Sequence, residues 1–411
     1  MAPKGLTTKV AMLVVAAAGP SGSRPYELLW SSGGIPASEL AAAGFNLHAV
    51  FNWSPHDGEQ PSAWNCSTPL IPNQTKGPCI LSLWPLIAGA GAPGKSNVNG
   101  GVPQAANLTA HQELLRRTLP GAVSADFDGI AAIDFENWTP IWENDGSHDA
   151  WHSAAYRQLS LQLVVDKHPS LSHAQAQAQA KQNFERAAVD FFVQTLRVCR
   201  EVRPRARWGF YGFPNSEFYP CDNQGCGYSS LRAGRTLRGR NDLLQPLWDE
   251  VDVILPSIYM QILPGNTPSS SRNAYINHGM VNNTVTEALR LSKNSRQPPP
   301  AVFAFMYSFY NSQTQNVTLT AADTKASVEI PYYLGADGLV VWGDPGYIGK
   351  ELHHPHRVAQ FQQYFDSTLA PELKRFAAHH HIAALERPRA SNYLDKKVAA
   401  EGEIREQAAA V

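Results

Sequence analysis

The sequence has no excess of either charge: 34 lysines and arginines stand against 35 aspartates and glutamates, a formal net charge of −1. Such a balance singles out no partner, and no nucleic-acid-binding motif accompanies it. Long apolar runs are missing too. Val10 to Ala18 is too short to span a bilayer, and no other run approaches membrane length. The charged stretch Leu394 to Val411 lacks the hydrophobic tail of a lipid-anchor signal. Cysteine is sparse: the five are Cys66, Cys79, Cys199, Cys221 and Cys226, and none has metal-ligand spacing. His379-His380-His381 sits in a charged helical pattern and reads as a solvated face, so neither a metal nor a cofactor is expected. No internal repeat or interdomain linker appears, which leaves one large domain as the simplest organisation.

Several features agree with an oxidising, secretory setting. Lys4 and Lys9 precede the apolar core Val10–Ala18, and Ala16-Ala17-Ala18 offers an A-x-A cleavage site, so residues 1–18 read as a signal peptide. Sequons occur at Asn52, Asn65, Asn73, Asn107, Asn137, Asn282 and Asn316. Pro55 follows the Ser54 of the first, and Asn137 adjoins a candidate catalytic strand. An odd cysteine count leaves at least one thiol over. Local pairing of Cys66 with Cys79 and of Cys221 with Cys226 is expected, with Cys199 buried and free in a helix. Secretion, or a lysosome-like compartment, follows as the expected location.

Strand-length apolar runs recur at Tyr26–Trp30, Leu47–Asn52, Ile80–Pro85, Gly129–Phe135, Arg207–Gly212, Val251–Ile258, Ala301–Tyr307 and Gly338–Trp342. Several are continuous rather than alternating, as strands covered on both faces should be. Helical patterns fill most gaps: Ala105–Leu119, Trp151–Val165, Ser172–Val202, Asn241–Asp249, Ala274–Lys293 and Thr320–Tyr333. The low-complexity stretch Ala174–Ala180 is helix-compatible and reads as part of a long surface helix rather than a linker. Strands alternating with helices predict an α/β fold, a distorted (β/α)8-type barrel in a single catalytic domain over residues 26–369. A helical, charged extension is expected over 370–411.

In such a barrel, functional residues gather at the C-terminal ends of strands. The run Ile130 to Phe135 ends there in Asp134 and Glu136, two carboxylates spaced i, i+2. Strand side chains alternate faces, so both acids project to one side while Phe135 points away. Desolvation and mutual repulsion raise the pKa of one member of such a pair. A protonated acid beside a carboxylate is equipment for cleaving a glycosidic bond. A bare D-x-E also fits a strand end whose acids face water or a cation, so the flanking residues decide.

Asp128-Gly-Ile-Ala-Ala-Ile-Asp-Phe-Glu-Asn-Trp-Thr-Pro140 resembles the active-site strand of the hyaluronidase family. Trp208-Gly-Phe-Tyr-Gly-Phe-Pro214, Pro256-Ser-Ile-Tyr-Met260 and Ala336-Asp-Gly-Leu-Val-Val-Trp342 are similar to three further signatures, in the family's order. The stretch GGVPQAANLT between Gly100 and Thr109 is similar to a family loop that leads into a helix. The resemblance spans Gly100 to Leu369; the N-terminal third departs from it, and the segment from Ser54 to Leu86 lacks the usual aromatic-rich stretch. The family's long-range disulfide and its cysteine-rich C-terminal module have no cysteines here, and Asn215-Ser216 stand where animal members carry a cysteine.

That resemblance implies a retaining endo-glycosidase, acting as a monomer on hyaluronan or a related glycosaminoglycan such as chondroitin. It implies Glu136 as the acid that protonates the glycosidic oxygen and Asp134 as the group that shares its proton and orients the substrate's acetamido group. No enzyme nucleophile is implied: the acetamido oxygen attacks C1, and water later opens the cyclic oxazolinium. Tyr259 matches the tyrosine that steadies the acetamido group, Tyr211 a second tyrosine near the scissile sugar, and Trp342 a wall of the sugar pocket. Asn311 stands where relatives often have an aspartate. Trp138 fits either a cleft lining or packing behind Glu136. A chitinase-like hydrolase is the rival enzyme, but Ala132 occupies the position of its middle aspartate and Asp128-Gly129 sits one residue too early. A secreted glycan-binding protein without turnover is the rival from another class, and the intact Asp134, Glu136, Tyr211 and Tyr259 argue against it.

Nine arginines between Leu196 and Arg240 face three acids, Glu201, Glu217 and Asp222. A polyanion laid across a cleft would be attracted to them; a solvated basic helix face and loop is the other reading.

Overall fold

The computed structural model describes residues 26–30, 79–82, 101–123, 125–135, 138–142, 153–214, 225–231, 233–263, 265–311, 317–342, 356–380 and 382, without side chains at 79–82, 122, 134, 153–155 and 356–358. Seven parallel strands are described: β1 (Glu27–Trp30), β2 (Cys79–Ser82), β3 (Ile130–Asp134), β4 (Arg207–Phe210), β5 (Val253–Ile254), β6 (Ala301–Tyr307) and β7 (Gly338–Trp342). One sheet has the order β2-β3-β4 and the other β1-β7-β6-β5. The Asp252 amide donates to the Trp208 carbonyl at 2.8 Å, and the Gly212 amide to the Leu255 carbonyl at 2.9 Å. These bonds join β4 to β5, so the strands follow one another in a single arc, β2-β3-β4-β5-β6-β7-β1. First and last strands are neighbours in it, Glu27 pairing with Gly338 and Trp30 with Val341. The eighth expected run, Leu47–Asn52, lies outside the described residues.

Every residue of β6 is buried, as a continuous apolar strand covered on both faces should be. β5 is shorter than the expected Val251–Ile258. Pro256 has no amide hydrogen for a ladder, and the chain beyond it keeps only single bonds to β6, such as Ile258 N to Phe305 O at 2.8 Å.

The helices α1 (Leu108–Ala122) and α2 (Ser153–Lys167) pack on α3 (His173–Val202), which packs on β4. Ser172 and Gln175 form a capping box that starts α3. The alanine-rich stretch is the first part of that helix: Ala176, Ala180, Phe184 and Ala188 lie one turn apart and are buried. Cys199 is buried and free, as expected, and burial pushes its thiol up. The helix expected at Asn241–Asp249 is instead α4 (Gly234–Asp242) followed by the single turn α5 (Gln245–Trp248). Pro246 is tolerated in the first turn of α5, where its missing donor costs nothing, but not inside a longer helix. α6 (Ser271–Asn294) and α7 (Ala321–Leu334) flank β6 and β7. α8 (His356–Tyr364) continues through a π turn, Phe365–Leu369, into α9 (Ala370–His379). The expected boundary at 369/370 therefore falls inside one helical segment. Phe376 of α9 is fully buried, its ring 5.9 Å from Tyr26 and 5.3 Å from Tyr332.

Candidate active site

Four aromatic side chains converge where β4 to β7 end. Tyr211 follows β4, Tyr259 follows β5, and Tyr307 and Trp342 close β6 and β7. The Tyr259 and Trp342 rings stack almost parallel, 5.7 Å apart with 7° between planes. Tyr307 lies 4.6 Å from Trp342 and 5.2 Å from Tyr259, and Tyr211 lies 6.3 Å from Tyr259. Tyr211 and Trp342 are half-buried, whereas Tyr259 and Tyr307 are buried. A half-open wall of flat faces suits the C–H faces of sugar rings, and the phenol hydroxyls add polar handles. Tyr307 was absent from the sequence expectations. The signal that marks Trp342 marks it too, since it is the last residue of an apolar run ending at the functional face.

Asp134 ends β3 opposite Ser82, and the Tyr211 amide donates to the Ile133 carbonyl at 2.9 Å. The backbone of the proposed carboxylate strand thus lies beside the aromatic wall. Glu136 lies outside the described residues. Phe135 is buried against Trp138, Phe191 and Phe192 at ring distances of 4.8, 6.5 and 5.8 Å, in the layer between sheet and α3. Trp138 takes the second of its two open places. It is 1% exposed and packs edge-on to Phe184 and Phe191, so it supports the strand from behind and does not line a cleft. Asn311 is half-buried, and its amide donates to the Met260 carbonyl at 2.7 Å, one residue past Tyr259.

The family model described as "Hyaluronidase" matches residues 81–382, with the aromatic wall and the Asp134 strand inside the match. The chain belongs to the hyaluronidase family. The hyaluronidase of Apis mellifera is 31% identical over 281 residues, 68% of this chain and 68% of that protein. Hyaluronidase-2 of Homo sapiens is 33% identical over 271 residues, covering 65% of this chain and 53% of the human protein. Among solved structures, bee venom hyaluronidase in complex with a hyaluronic acid tetramer superposes with a TM-score of 0.63 at 25% identity, covering 86% of this chain and 99% of the bee chain. The α/β barrel-type fold and the glycoside hydrolase class expected from sequence both stand.

The arginine-rich stretch of this hyaluronidase-family chain does not form one patch on the cleft. Five of the nine sit at or below the start of β4, the end opposite the aromatic wall. Arg197 and Arg200 bond Glu250 at 3.1 and 2.6 Å, Arg205 meets Asp128 at 3.2 Å, and Arg207 meets Glu27 at 3.3 Å. Arg203 caps backbone carbonyls of Val123, Pro120 and Val202. Arg238 is also engaged: it donates to the Tyr228 carbonyl at 3.1 Å and approaches the buried Glu287 at 3.7 Å. Arg235 is exposed, and Arg232 lies outside the described residues. Polyanion attraction through this stretch as a whole is therefore not supported. Clustering along the sequence cannot tell which end of a strand a charge occupies.

Proposed function

We propose that this chain is an endo-glycosidase that hydrolyses the β-1,4 N-acetylhexosaminide bonds of hyaluronan with retention. The observation that carries the reading is the wall Tyr211–Tyr259–Tyr307–Trp342, set at the C-terminal strand ends beside the end of β3. Phe135 faces the helix layer, the orientation that strand alternation demands of a residue between two acids directed to the cleft. Glu136 is assigned as the acid that gives its proton to the glycosidic oxygen as the bond to C1 breaks. The substrate's own acetamido oxygen attacks C1 from the other face; water then opens the oxazolinium and returns a proton to Glu136. Asp134 orients the acetamido group and Tyr259 steadies it as positive charge develops. Tyr211 and Trp342 hold the sugar rings, and Asn311 borders the same pocket.

A secretory setting is part of the proposal. It rests on residues 1–18, the sequons and Cys226, which is disulfide-bonded as extracellular folding permits. No helix among the described residues is long and apolar enough to cross a membrane. The deciding experiment incubates the purified full chain with hyaluronan, chondroitin and chitin and sizes the products with time. A fall in mean hyaluronan length ahead of any small fragments marks endo-cleavage with the assigned substrate. Shortening of chitin alone would transfer the site to the rival enzyme, and intact polymers throughout would leave a glycan-binding protein.

A further inference from the structure

Beyond Pro256 the chain that carries Tyr259 runs without a regular strand partner, yet its backbone groups are not left bare. The Asn277 side chain on α6 pairs with both backbone groups of Gln261. Its Oδ1 accepts from the Gln261 amide at 2.9 Å, and its Nδ2 donates to the Gln261 carbonyl at 2.8 Å. The same Nδ2 donates to the Asn273 carbonyl at 3.0 Å, and Asn273 Oδ1 accepts from the Leu263 amide at 3.0 Å. Both asparagines are buried. On the other side, the Met260 carbonyl accepts from the Asn311 amide at 2.7 Å. Residues 260 and 261 are thus gripped from opposite sides, as consecutive residues of a central strand would be, but by side-chain amides on one side.

The Asn311 side of the grip is itself tethered. Tyr310 donates its hydroxyl to the buried Asp323 on α7, and His278, next to Asn277 on α6, lies 2.7 Å from the same carboxylate. Burial, and then the bond to Asp323, push the Tyr310 hydroxyl up to about 12, so it keeps its proton as a donor. Helices α6 and α7 therefore fix both loops that flank Tyr259.

We infer that Asn277 is a positioning residue of the reaction, acting through Tyr259 by pairing with the Gln261 backbone. A buried amide pair lost at Gln261 leaves a donor and an acceptor without partners, and the segment shifts to recover them. A hydroxyl aimed at a developing charge cannot follow such a shift without loss, because small misplacements in a reacting geometry are costly. The inference rests on the role proposed for Tyr259.

The experiment is a double-mutant cycle on the full chain, with kcat and KM on hyaluronan measured per folded molecule at a temperature where circular dichroism shows every variant folded. Asn277→Ala lowers kcat about tenfold to a hundredfold with KM nearly unchanged. Tyr259→Phe lowers kcat by itself, and adding Asn277→Ala to Tyr259→Phe costs little more, because the group being positioned is already gone. Losses that multiply in the double variant overturn the inference while leaving Tyr259 in its role. An inert Tyr259→Phe removes the role of Tyr259, and with it this inference. Should the alanine variant not fold, the isosteric Asn277→Asp replaces it. The ionised carboxylate repels the Gln261 carbonyl, whereas the protonated acid restores an acceptor and a donor. Its kcat relative to wild type then rises as pH falls, and a flat ratio overturns the inference.

Discussion

The two ends of the same parallel strands carry opposite chemistry. At the C-terminal ends, Tyr211, Tyr259, Tyr307 and Trp342 present rings. At the N-terminal ends the chain gathers charge and neutralises it. Glu27, which opens β1, meets Arg207, which opens β4, at 3.3 Å. Asp252, just before β5, is buried; it bonds Arg296 at 2.7 Å and accepts from the Trp208 amide at 3.2 Å. Asp337, just before β7, accepts from the Val302 amide at the start of β6 at 2.8 Å. The proposed substrate face is free of that task because the other is committed to holding the strands in register. Richness in arginine is here a mark of the structural end, and richness in aromatic residues a mark of the end proposed to meet substrate.

That contrast is sharpest in two substitutions. Glu136→Gln keeps shape and removes the proton; turnover of hyaluronan falls ~10²–10⁴-fold or more, with melting temperature and polymer binding preserved. Near-normal activity in that variant would remove the assignment of the acid and erase the working end as drawn. Asp252→Ala does the reverse. Leaving Arg296 without its buried partner, and Arg200 without the Asp252 oxygen 3.6 Å from its Nε, costs ~3–5 kcal/mol of stability, read from urea unfolding, while kcat per folded molecule is unchanged. A lost kcat with intact stability would break the division between the two faces.

Asp323 tests a charged network on the side of the working end. Burial raises its carboxyl, but the bonds from His278 and Tyr310 outweigh it and hold the pKa below the ordinary value. A depressed folded-state pKa stabilises above the unfolded value of about 3.9, and that stability is lost as pH falls through the folded value. Asp323→Asn is accordingly less stable than wild type at neutral pH, and the gap in melting temperature closes in acid below that range. A gap independent of pH would mean that packing, not ionisation, is what Asp323 supplies. The smallest effect is expected at Arg116, whose pair with Glu201 is exposed on both sides at 2.9 Å. Arg116→Ala leaves the melting temperature, and the salt dependence of hyaluronan binding to the Glu136→Gln protein, essentially unchanged.

Much of this was legible in the residues, for physical reasons. Continuous apolar runs such as Ala301–Tyr307 and Gly338–Trp342 allow little besides buried strands, and both ends of each were read correctly. The helical patterns expected from Ser172 and from Thr320 do start at those residues, which the structure shows to be side-chain N-caps. What escaped depended on tertiary neighbours. α4 is rich in glycine and arginine and shows no apolar stripe beyond Leu237, so no periodicity marked it. Trp138 could be placed only by seeing the phenylalanines of α3 around it. Asn273 and Asn277 read as ordinary polar residues of a helix, because their partners at Gln261 and Leu263 lie in another element. For Asp134 and Glu136 the reading still rests on sequence and family, with the side-chain geometry outside the described residues.

The pairing of β1 with β7 has a consequence for how the chain is made. The residues that Glu27 to Trp30 bond, Gly338 to Val341, are synthesised about 300 positions later. At synthesis rates of about 5–20 residues per second, that is a wait of roughly 15 to 60 seconds. Throughout it, the Glu-Leu-Leu-Trp segment offers an apolar edge with open amides and carbonyls, and only the completed chain can cover it from this side. The seam between β1 and β7 is thus open to wrong partners during birth, and Phe376, made later still, packs against Tyr26 beside it.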